Sequence, residues 1–313
     1  MNSCREIVGA FALAFLLPAL AAGQTSSTKS LQVRLGYGPD AKLLILNADD
    51  LAMAHSEDAA SLAALDQKII TSATVMVPCP WFPEAAAYAK AHPGADLGLH
   101  LTLTSEWEGF FWGPVAPRDK VRSLVDANGY FYSSVEELVK HAKPKEVERE
   151  IRAQIQRAKA MGLEPTHLDS HMHALYAVPE LFKVFQKVAR ENRLPIRMAR
   201  NERDFQKVLS LVAPGDPIPD AIFSPTPEVP AAAWKDYYIN VVKNLQPGVA
   251  EIFVHLAHDD AEMQAVTVNH PDWGSAWRQR DLDAISSPEF RKALDDNHVI
   301  LIGWKQVKKL LEK

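Results

Sequence analysis

Two adjacent carboxylates follow one of the most apolar runs of the chain. The run Leu43–Leu46 leads after two further residues to Asp49 and Asp50. In α/β sheets and barrels, reactive groups gather at the carboxyl ends of strands, which is where this pair would lie. The alternative is that one aspartate caps the next helix, a position for which Ser56 is also available. The pair alone leaves a catalytic site and a helix cap equally open.

A second group of ionisable residues occupies the segment that begins at Thr166. His167, Asp169, His171 and His173 alternate there with other residues. Alternate side chains of an extended backbone share one face, so these four are predicted to project together. A core strand has little structural reason to bury four such groups, because each needs a partner. The segment therefore indicates a functional site.

Two further apolar runs carry a histidine at or near their ends, His100 and His255. A lone histidine in such a run is more often a hydrogen-bonded core residue than a ligand. Together with the aspartates and the histidine-rich segment, however, they describe a His/carboxylate metal site. Open coordination positions for water would make such an ion catalytic rather than structural.

Elements that could position these residues alternate along the chain in the manner of an α/β domain with a mainly parallel sheet. The predicted strands are Leu43–Leu46, Ser72–Val77, Leu97–Leu103, Thr166–Asp169, Ile196–Ala199, Glu251–His255 and Val299–Ile302. The predicted helices are Ser56–Lys68, Trp81–Ala91, Lys145–Met161, Pro179–Asn192, Ala231–Asn244, Pro288–Asp295 and Trp304–Leu311. About seven strands predict a TIM-like (β/α) barrel or an incomplete one. The proline-rich stretch 214–230 is predicted to be a long surface loop.

Composition fits one large domain, predicted over residues 41–313. The 313 residues are 47% hydrophobic and 23% charged, which suits a full core. A formal net charge of −5 leaves no basic field for a nucleic-acid backbone, so nucleic acid is excluded as the expected partner. The sequence carries no prediction of oligomeric state.

The first residues resemble an export signal. A short charged start, an apolar run from Ile7 to Leu17 and a small-residue region predict a signal peptide over 1–23, followed by a flexible lead-in and domain start over 24–40. The alternative, an uncleaved anchor, is weakened because spanning a bilayer needs ~20 apolar residues. We expect a periplasmic or secreted protein with no stable membrane span after signal removal. Cys79 is then its only cysteine, so an intramolecular disulfide is excluded.

Five motifs along the chain, taken together, resemble the YdjC-like family of carbohydrate deacetylases, which includes chitooligosaccharide deacetylases. They run in family order and cover nearly all of the mature chain: Asn47-Ala-Asp-Asp50, Thr71-Ser-Ala-Thr74 with Met76, Gly98-Leu-His-Leu-Thr-Leu103, Pro165-Thr-His-Leu-Asp-Ser-His171 and Glu251-Ile-Phe-Val-His255.

The resemblance implies a (β/α) barrel-like fold, a divalent cation and hydrolysis of N-acetyl groups on sugars. Carried over residue by residue, it implies Asp50, His100 and His171 as metal ligands. It implies Asp49 as the acidic residue beside them and His255 as the histidine near the substrate. Imidazole and carboxylate ligands suit Zn²⁺, whereas the family is commonly linked to Mg²⁺, so both cations stay open.

The chain departs from the family pattern at two turns. Leu51-Ala52 stands where Phe-Gly usually follows the second aspartate, and Leu256-Ala257 stands where Pro-Gly usually follows the last histidine. We expect the first departure to change the shape of the turn more than the ligands.

Four further residues are candidates for substrate binding or for support of the site: His173, Trp107, Trp112 and Arg278. Arg278 opens a segment similar to the family's late Arg-x-x-Glu-Leu stretch, and it either orients a carboxylate or forms a surface ion pair. Trp107 and Trp112, in the loop after the His100 strand, either stack on sugar rings or belong to the core.

The predicted reaction is amide hydrolysis at a metal centre. Asp49 would remove the proton of the attacking water, and His255 would protonate the departing amine, with His173 as the other candidate for that second role. Competing readings are a metal-dependent phosphoesterase, another amidohydrolase, or an exported sugar-binding protein without catalysis.

Overall fold

The structure, a computed structural model, describes residues 29–312. The predicted signal peptide 1–23 lies outside these residues, as does the lead-in up to residue 28. The described remainder of the lead-in contains a short helix, α1 (Leu31–Arg34), whose Leu31 is buried. Within residues 29–312, no helix has the length and apolar character needed to cross a membrane.

Seven parallel strands form one sheet. They are β1 (Lys42–Leu51), β2 (Ser72–Val75), β3 (Leu97–Leu101), β4 (Leu168–Ser170), β5 (Ala221–Phe223), β6 (Gly248–Val254) and β7 (Ile300–Leu301). The spatial order is β4-β3-β2-β1-β6-β5, and β7 pairs with β1 beside this path. The predicted α/β fold is confirmed in its incomplete form, because the sheet curls into a half-barrel whose edge strands β4 and β5 do not pair.

Helices cover the sheet on the outside. Besides α1 they are α2 (His55–Asp66), α3 (Phe82–Ala91), α4 (Val135–His141), α5 (Pro144–Ala160), α6 (Pro179–Glu191), α7 (Trp234–Asn244), α8 (Ala261–Val266), α9 (Ser275–Ile285), α10 (Pro288–Asp296) and α11 (Trp304–Lys308). All seven predicted helices are present, with small shifts at their ends. Helix α5 buries Val147, Ile151, Ile155 and Ala158, the apolar stripe expected of an amphipathic helix.

Strand β1 lies at the centre of the sheet and is buried on both faces. Leu44 and Leu46 point into the main core, whereas Leu43 and Ile45 pack with Trp304 in a smaller cluster. Burial on both faces is why this strand is a continuous apolar run rather than an alternating one. The run carries its two terminal aspartates to the carboxyl edge of the sheet.

The predicted strand Ile196–Ala199 is wrong. The segment makes one isolated bridge, between Leu168 and Ile196, because the neighbouring strand β4 ends at Ser170 and leaves no further strand for the end of the segment to pair with. The strand that occurs instead, β5, lies inside the stretch predicted to be a loop. Three residues, Ala221–Phe223, are too few to show a period, although they pair with β6 in regular register.

The predicted extended run through the histidine-rich segment is also wrong. Strand β4 ends at Ser170, and a 3₁₀ turn follows over His171–Tyr176. Met172 (φ 49°) and His173 (φ 54°) adopt left-handed backbone conformations there. Side chains therefore do not alternate beyond Ser170, and the four ionisable side chains do not share one face.

Candidate active site

A distortion of β1 turns both aspartates toward the same cavity. Adjacent residues of a regular strand point to opposite faces. Here the register between β1 and β2 shifts between Ala48 and Leu51, and Asp50 adopts φ 67°. Aspartate tolerates this left-handed conformation better than most residues. As a result Asp49 and Asp50 both border a cavity of about 580 Å³ at the carboxyl edge of the sheet.

Three of the predicted ligands converge at the base of this cavity. Asp50 Oδ1 lies 3.2 Å from His100 Nε2 and 3.2 Å from His171 Nδ1. All three residues are buried, and Asp50 Oδ1 has no hydrogen-bond partner within residues 29–312. An orphaned carboxylate oxygen facing two imidazole nitrogens is a donor set that fits a divalent cation.

A further side chain holds each of these three residues from behind. His100 Nδ1 donates to Asp169 Oδ1 (2.7 Å), and His171 Nε2 donates to Glu106 Oε2 (2.9 Å). Arg278 Nη2 donates to Asp50 Oδ2 (2.8 Å). Such partners fix the tautomer and orientation of metal-binding residues, so each free ligand atom is aimed at the same point.

The electrostatic field at this point favours positive charge. Burial would lower the pKa of the His100 imidazole, but the charges of Asp169 and Asp49 outweigh it and raise the pKa to about 9. For His171, Glu106 and Asp50 likewise overcome burial and raise the pKa to about 10. A cation held among these groups would be stabilised by the same carboxylates.

Asp49 is held apart from the three ligands by an arginine. Arg197 donates from Nη1 to Asp49 Oδ1 (2.5 Å) and from Nη2 to Asp49 Oδ2 (2.8 Å). Burial would raise the pKa of the Asp49 carboxyl, but Arg197 lowers it well below its usual range. Arg197 Nη1 also lies 3.0 Å from Asp169 Oδ2, so one guanidinium connects Asp49 to the carboxylate that orients His100.

A second convergence of potential ligands involves Asp49, His100 and Asp169. Arg197 already contacts both of these carboxylates, and His100 Nδ1 is already bonded to one of them. This group is therefore an ion-pair network around a guanidinium. It fits a metal less well than the set that contains the orphaned oxygen.

His255 borders the same cavity, with Nε2 3.9 Å from Asp50 Oδ2. Its backbone N–H donates to Asp281 Oδ2 (3.0 Å), and Asp281 also accepts hydrogen bonds from Trp234 and Tyr238. Burial lowers the pKa of the His255 imidazole to about 4, although Asp50 opposes this. The imidazole is therefore neutral near pH 7 in the unliganded site.

The other two histidines of the segment, His167 and His173, do not join the group of three ligands. His173 borders the cavity, donates from Nδ1 to Asp204 (3.0 Å) and packs on Phe205. His167 stacks on Trp304 in the interior, where burial lowers its pKa to about 3. His167 is thus the hydrogen-bonded core histidine of the segment.

Arg278 orients a carboxylate and is not a surface ion pair. It is 1% exposed and bridges Asp50 and Glu57.

Both predicted tryptophans are buried. Trp107 borders the cavity with its ring 5.8 Å from the Arg278 guanidinium carbon, whereas Trp112 packs behind His171 and donates to the Thr104 carbonyl instead of lining the cavity.

The sequence did not single out Glu106 or Arg197 as parts of the site. Glu106 directly precedes Trp107 in a segment whose most prominent sequence feature is its aromatic residues. Arg197 interrupts an apolar run. A charged residue in such a run is rarely buried without a partner, and this is the sequence feature that could have indicated its role. Its partners Asp49 and Asp169 come from distant parts of the chain, so its role emerges only in three dimensions.

Several known proteins are similar to this chain over most of its length. A sequence model of the YdjC-like protein family matches residues 43–296. The carbohydrate deacetylase of Thermus thermophilus is 33% identical over 284 residues, covering 89% of this chain and 98% of that protein. The carbohydrate deacetylase of Geobacillus stearothermophilus is 31% identical over 271 residues, covering 85% and 98%.

Among solved structures, the chain is similar to a protein from Enterococcus faecalis V583 named as a proposed cellobiose-phosphate cleavage protein. The TM-score is 0.71 and the sequence identity 27%, over 85% of this chain and 99% of the other. The family model covers residues 43–296, and the fold agrees with that of the similar solved structure. The chain belongs to the YdjC-like protein family.

Proposed function

We propose that this chain is a metal-dependent hydrolase that removes acetyl groups from N-acetylated sugars. The observation that carries the proposal is the convergence of Asp50, His100 and His171 on one point, with Asp50 Oδ1 free of hydrogen bonds, at the base of a large cavity. Similarity to two carbohydrate deacetylases supports the substrate class.

These three residues would hold the ion. A divalent cation bound there would polarise an acetyl carbonyl and lower the pKa of a water. The nitrogen and oxygen donors suit Zn²⁺, and the resemblance to the family favours Mg²⁺, so both are included in the test.

Asp49 is proposed as the general base. Arg197 keeps its carboxylate ionised at neutral pH and fixes its plane by two hydrogen bonds. A base must be deprotonated and correctly oriented before it can accept the proton of the attacking water. Asp49 meets both conditions, although its low pKa makes it a weak base.

His255 is proposed as the proton donor to the leaving amine, because an amine leaves poorly unless it is protonated. Because its pKa is about 4 in the unliganded site, His255 would first take up a proton from solvent and then pass it to the amine, while Asp49 would return the proton of the attacking water to solvent. Negative charge that develops on the acetyl oxygen would raise this pKa, since an opposite charge nearby favours the imidazolium. His173 stays the alternative donor, held by Asp204 at the side of the cavity.

Phosphoester hydrolysis fits the cavity less well. It usually requires a basic clamp or two ions. Both arginines that border the cavity are neutralised, Arg197 by Asp49 and Asp169 and Arg278 by Asp50 and Glu57. Neither guanidinium is available to bind a phosphate without breaking a buried ion pair.

A substrate screen tests the proposed function. Metal-stripped protein is supplied with one divalent cation at a time and incubated with N-acetylated sugars, O-acetylated sugars and sugar phosphates, while acetate and phosphate are measured. We expect acetate from N-acetylated sugars only. Phosphate release would favour the phosphoesterase, and sugar binding without either product would favour a binding protein.

We also propose, from the sequence of residues 1–23, that the reaction takes place outside the cytoplasm.

A further inference from the structure

Trp273 is a large aromatic side chain that borders the cavity and is 39% exposed. Its ring stacks on Trp277, with centroids 5.0 Å apart and 26° between the planes. The remaining surface of the indole adjoins the cavity. The described part of the chain thus leaves an apolar surface open beside a polar site, where burying a tryptophan would ordinarily be favourable.

The backbone of Trp273 is connected directly to the proposed metal site. Its carbonyl accepts a hydrogen bond from Arg278 Nε (2.7 Å), and the same guanidinium donates from Nη2 to Asp50 Oδ2 (2.8 Å). Arg278 is buried and contacts both groups, so its guanidinium links the Trp273 backbone to Asp50. An indole on a freely moving loop would have no such relation to the site.

The loop around Trp273 is further constrained. Trp273 adopts φ 57°, a left-handed conformation that is unusual for a bulky residue and that surrounding contacts have to maintain. At Gly274, a Cβ atom would lie 2.0 Å from the His270 carbonyl oxygen, so only glycine fits. Asn269 donates to Glu108 (3.0 Å), which fastens the loop to the segment after β3. These contacts preorganise the indole before a ligand enters.

Trp107 and Trp112, the tryptophans predicted from the sequence to stack on sugar rings, are not accessible to a sugar. Trp107 is 3% exposed and packs between Arg278 and His270, and Trp112 lies outside the cavity lining. Stacking on a sugar requires an accessible ring face. Among the three tryptophans, Trp273 has the accessible surface.

We propose that Trp273 is a stacking platform for the sugar unit next to the one that carries the acetyl group, so that the protein prefers substrates of two or more units. This inference rests on the proposed deacetylase function. The C–H face of a pyranose ring is apolar and packs on an aromatic ring, while its hydroxyl groups stay in water. The cavity, at about 580 Å³, lies within the range of about 300–1,000 Å³ of sites for drug-sized ligands, which includes a disaccharide.

The test compares kcat/KM for N-acetylglucosamine and N,N′-diacetylchitobiose. Trp273→Asn removes the ring and keeps a residue type that tolerates a positive φ, and Trp273→Phe keeps an aromatic face. We expect Trp273→Asn to lower kcat/KM for the disaccharide about five- to tenfold, mainly through KM. The monosaccharide value should change less than about twofold, and Trp273→Phe should recover most of the loss.

The chain offers a matched control in Trp81, which is 38% exposed and packs on His55 with centroids 4.8 Å apart, outside the cavity lining. Trp81→Ala should leave both substrates unaffected. Equal losses on both substrates, or no loss on either, in Trp273→Asn would overturn the platform while the deacetylase stands.

A wild-type protein that releases acetate from neither sugar would instead contradict the proposed function. Calorimetric titration of the protein with N,N′-diacetylchitobiose then tests the role of Trp273 separately. A five- to tenfold weaker affinity in Trp273→Asn would support the platform, and unchanged affinity or the absence of binding would refute it.

Discussion

Arg278 donates a hydrogen bond from Nη2 to Asp50 Oδ2 at 2.8 Å, and this contact leaves Asp50 Oδ1 as the oxygen that faces His100 and His171. The guanidinium also pairs with Glu57 on α2. A residue on α9 and a residue on α2 thereby set the direction of a carboxylate at the end of β1. The orientation of the proposed ligand depends on contacts far from it in sequence.

The first prediction concerns this arginine. Arg278→Lys keeps the charge but cannot reach Asp50, Glu57 and the Trp273 carbonyl together, because a lysine has one nitrogen. We expect the affinity for the divalent cation to fall about 10- to 100-fold, as measured by calorimetric titration. Arg280→Lys, on the same helix and stacked over Trp234, is the control and should bind metal normally. Equal affinity in the wild type and Arg278→Lys would show that Asp50 needs no such support.

The second prediction concerns Glu106, which holds His171 Nε2. Glu106→Ala should weaken metal binding about 10- to 100-fold, because the imidazole loses the partner that fixes its tautomer. Glu108→Ala on the same loop changes a carboxylate that contacts Asn269 instead. If both variants weaken metal binding to the same degree, the loop and not the carboxylate is responsible.

The third prediction tests whether Asp49 acts as the general base and not as a metal ligand. Asp49→Asn keeps the shape of the side chain but removes its ability to accept a proton. We expect a full complement of metal and a turnover number lowered about 10²- to 10⁴-fold. Metal content is measured by elemental analysis and turnover by acetate release. A variant that keeps both metal and full activity would remove Asp49 from the role of base.

The fourth prediction concerns His255. His255→Ala should lower turnover by about 10²- to 10⁴-fold while metal occupancy stays close to that of the wild type. The opposite pattern, loss of metal with activity restored at high metal concentration, would make His255 a ligand. His173→Ala provides the comparison, because the larger of the two losses in turnover identifies the proton donor.

The fifth prediction follows from the turn after β1. Ala52 adopts φ 80°, a conformation that costs an alanine ~1–2 kcal/mol, at the place where the family pattern has glycine. Ala52→Gly removes this strain at an entropic cost of about 0.5–1 kcal/mol. We expect a net gain in the free energy of unfolding of about 0.5–1 kcal/mol, measured by urea denaturation. A loss of stability would mean that the Ala52 side chain contributes more through burial than its backbone costs.

The sequence predicted the parts of the site that depend on strand ends. Asp50 lies on β1 and His100 on β3, with β2 between them, and His171 follows directly after β4. Carboxyl ends of parallel strands meet at one edge, so residues at these ends are brought together whatever the loops do. The same reasoning correctly placed His255 at the end of β6.

What the sequence could not predict depends on contacts between distant segments. The role of Arg197 requires Asp49 and Asp169 to meet across four strands, and no local period carries that information. Strand β5 is three residues long and lies among prolines, so only its pairing with β6 reveals it. The bulge that turns Asp49 and Asp50 to one cavity is likewise invisible in a sequence whose regular strand would point them apart.

Stepwise addition of metal tests the central claim most directly. Metal-stripped wild-type protein and the His100→Ala/His171→Ala double variant are titrated with Mg²⁺ or Zn²⁺, and acetate release from N,N′-diacetylchitobiose is followed at each addition. We expect the stripped wild type to be inactive and its activity to rise to a plateau at one ion per chain. The double variant should neither bind the ion nor release acetate. Full acetate release by the stripped protein, or by the double variant, would contradict this expectation.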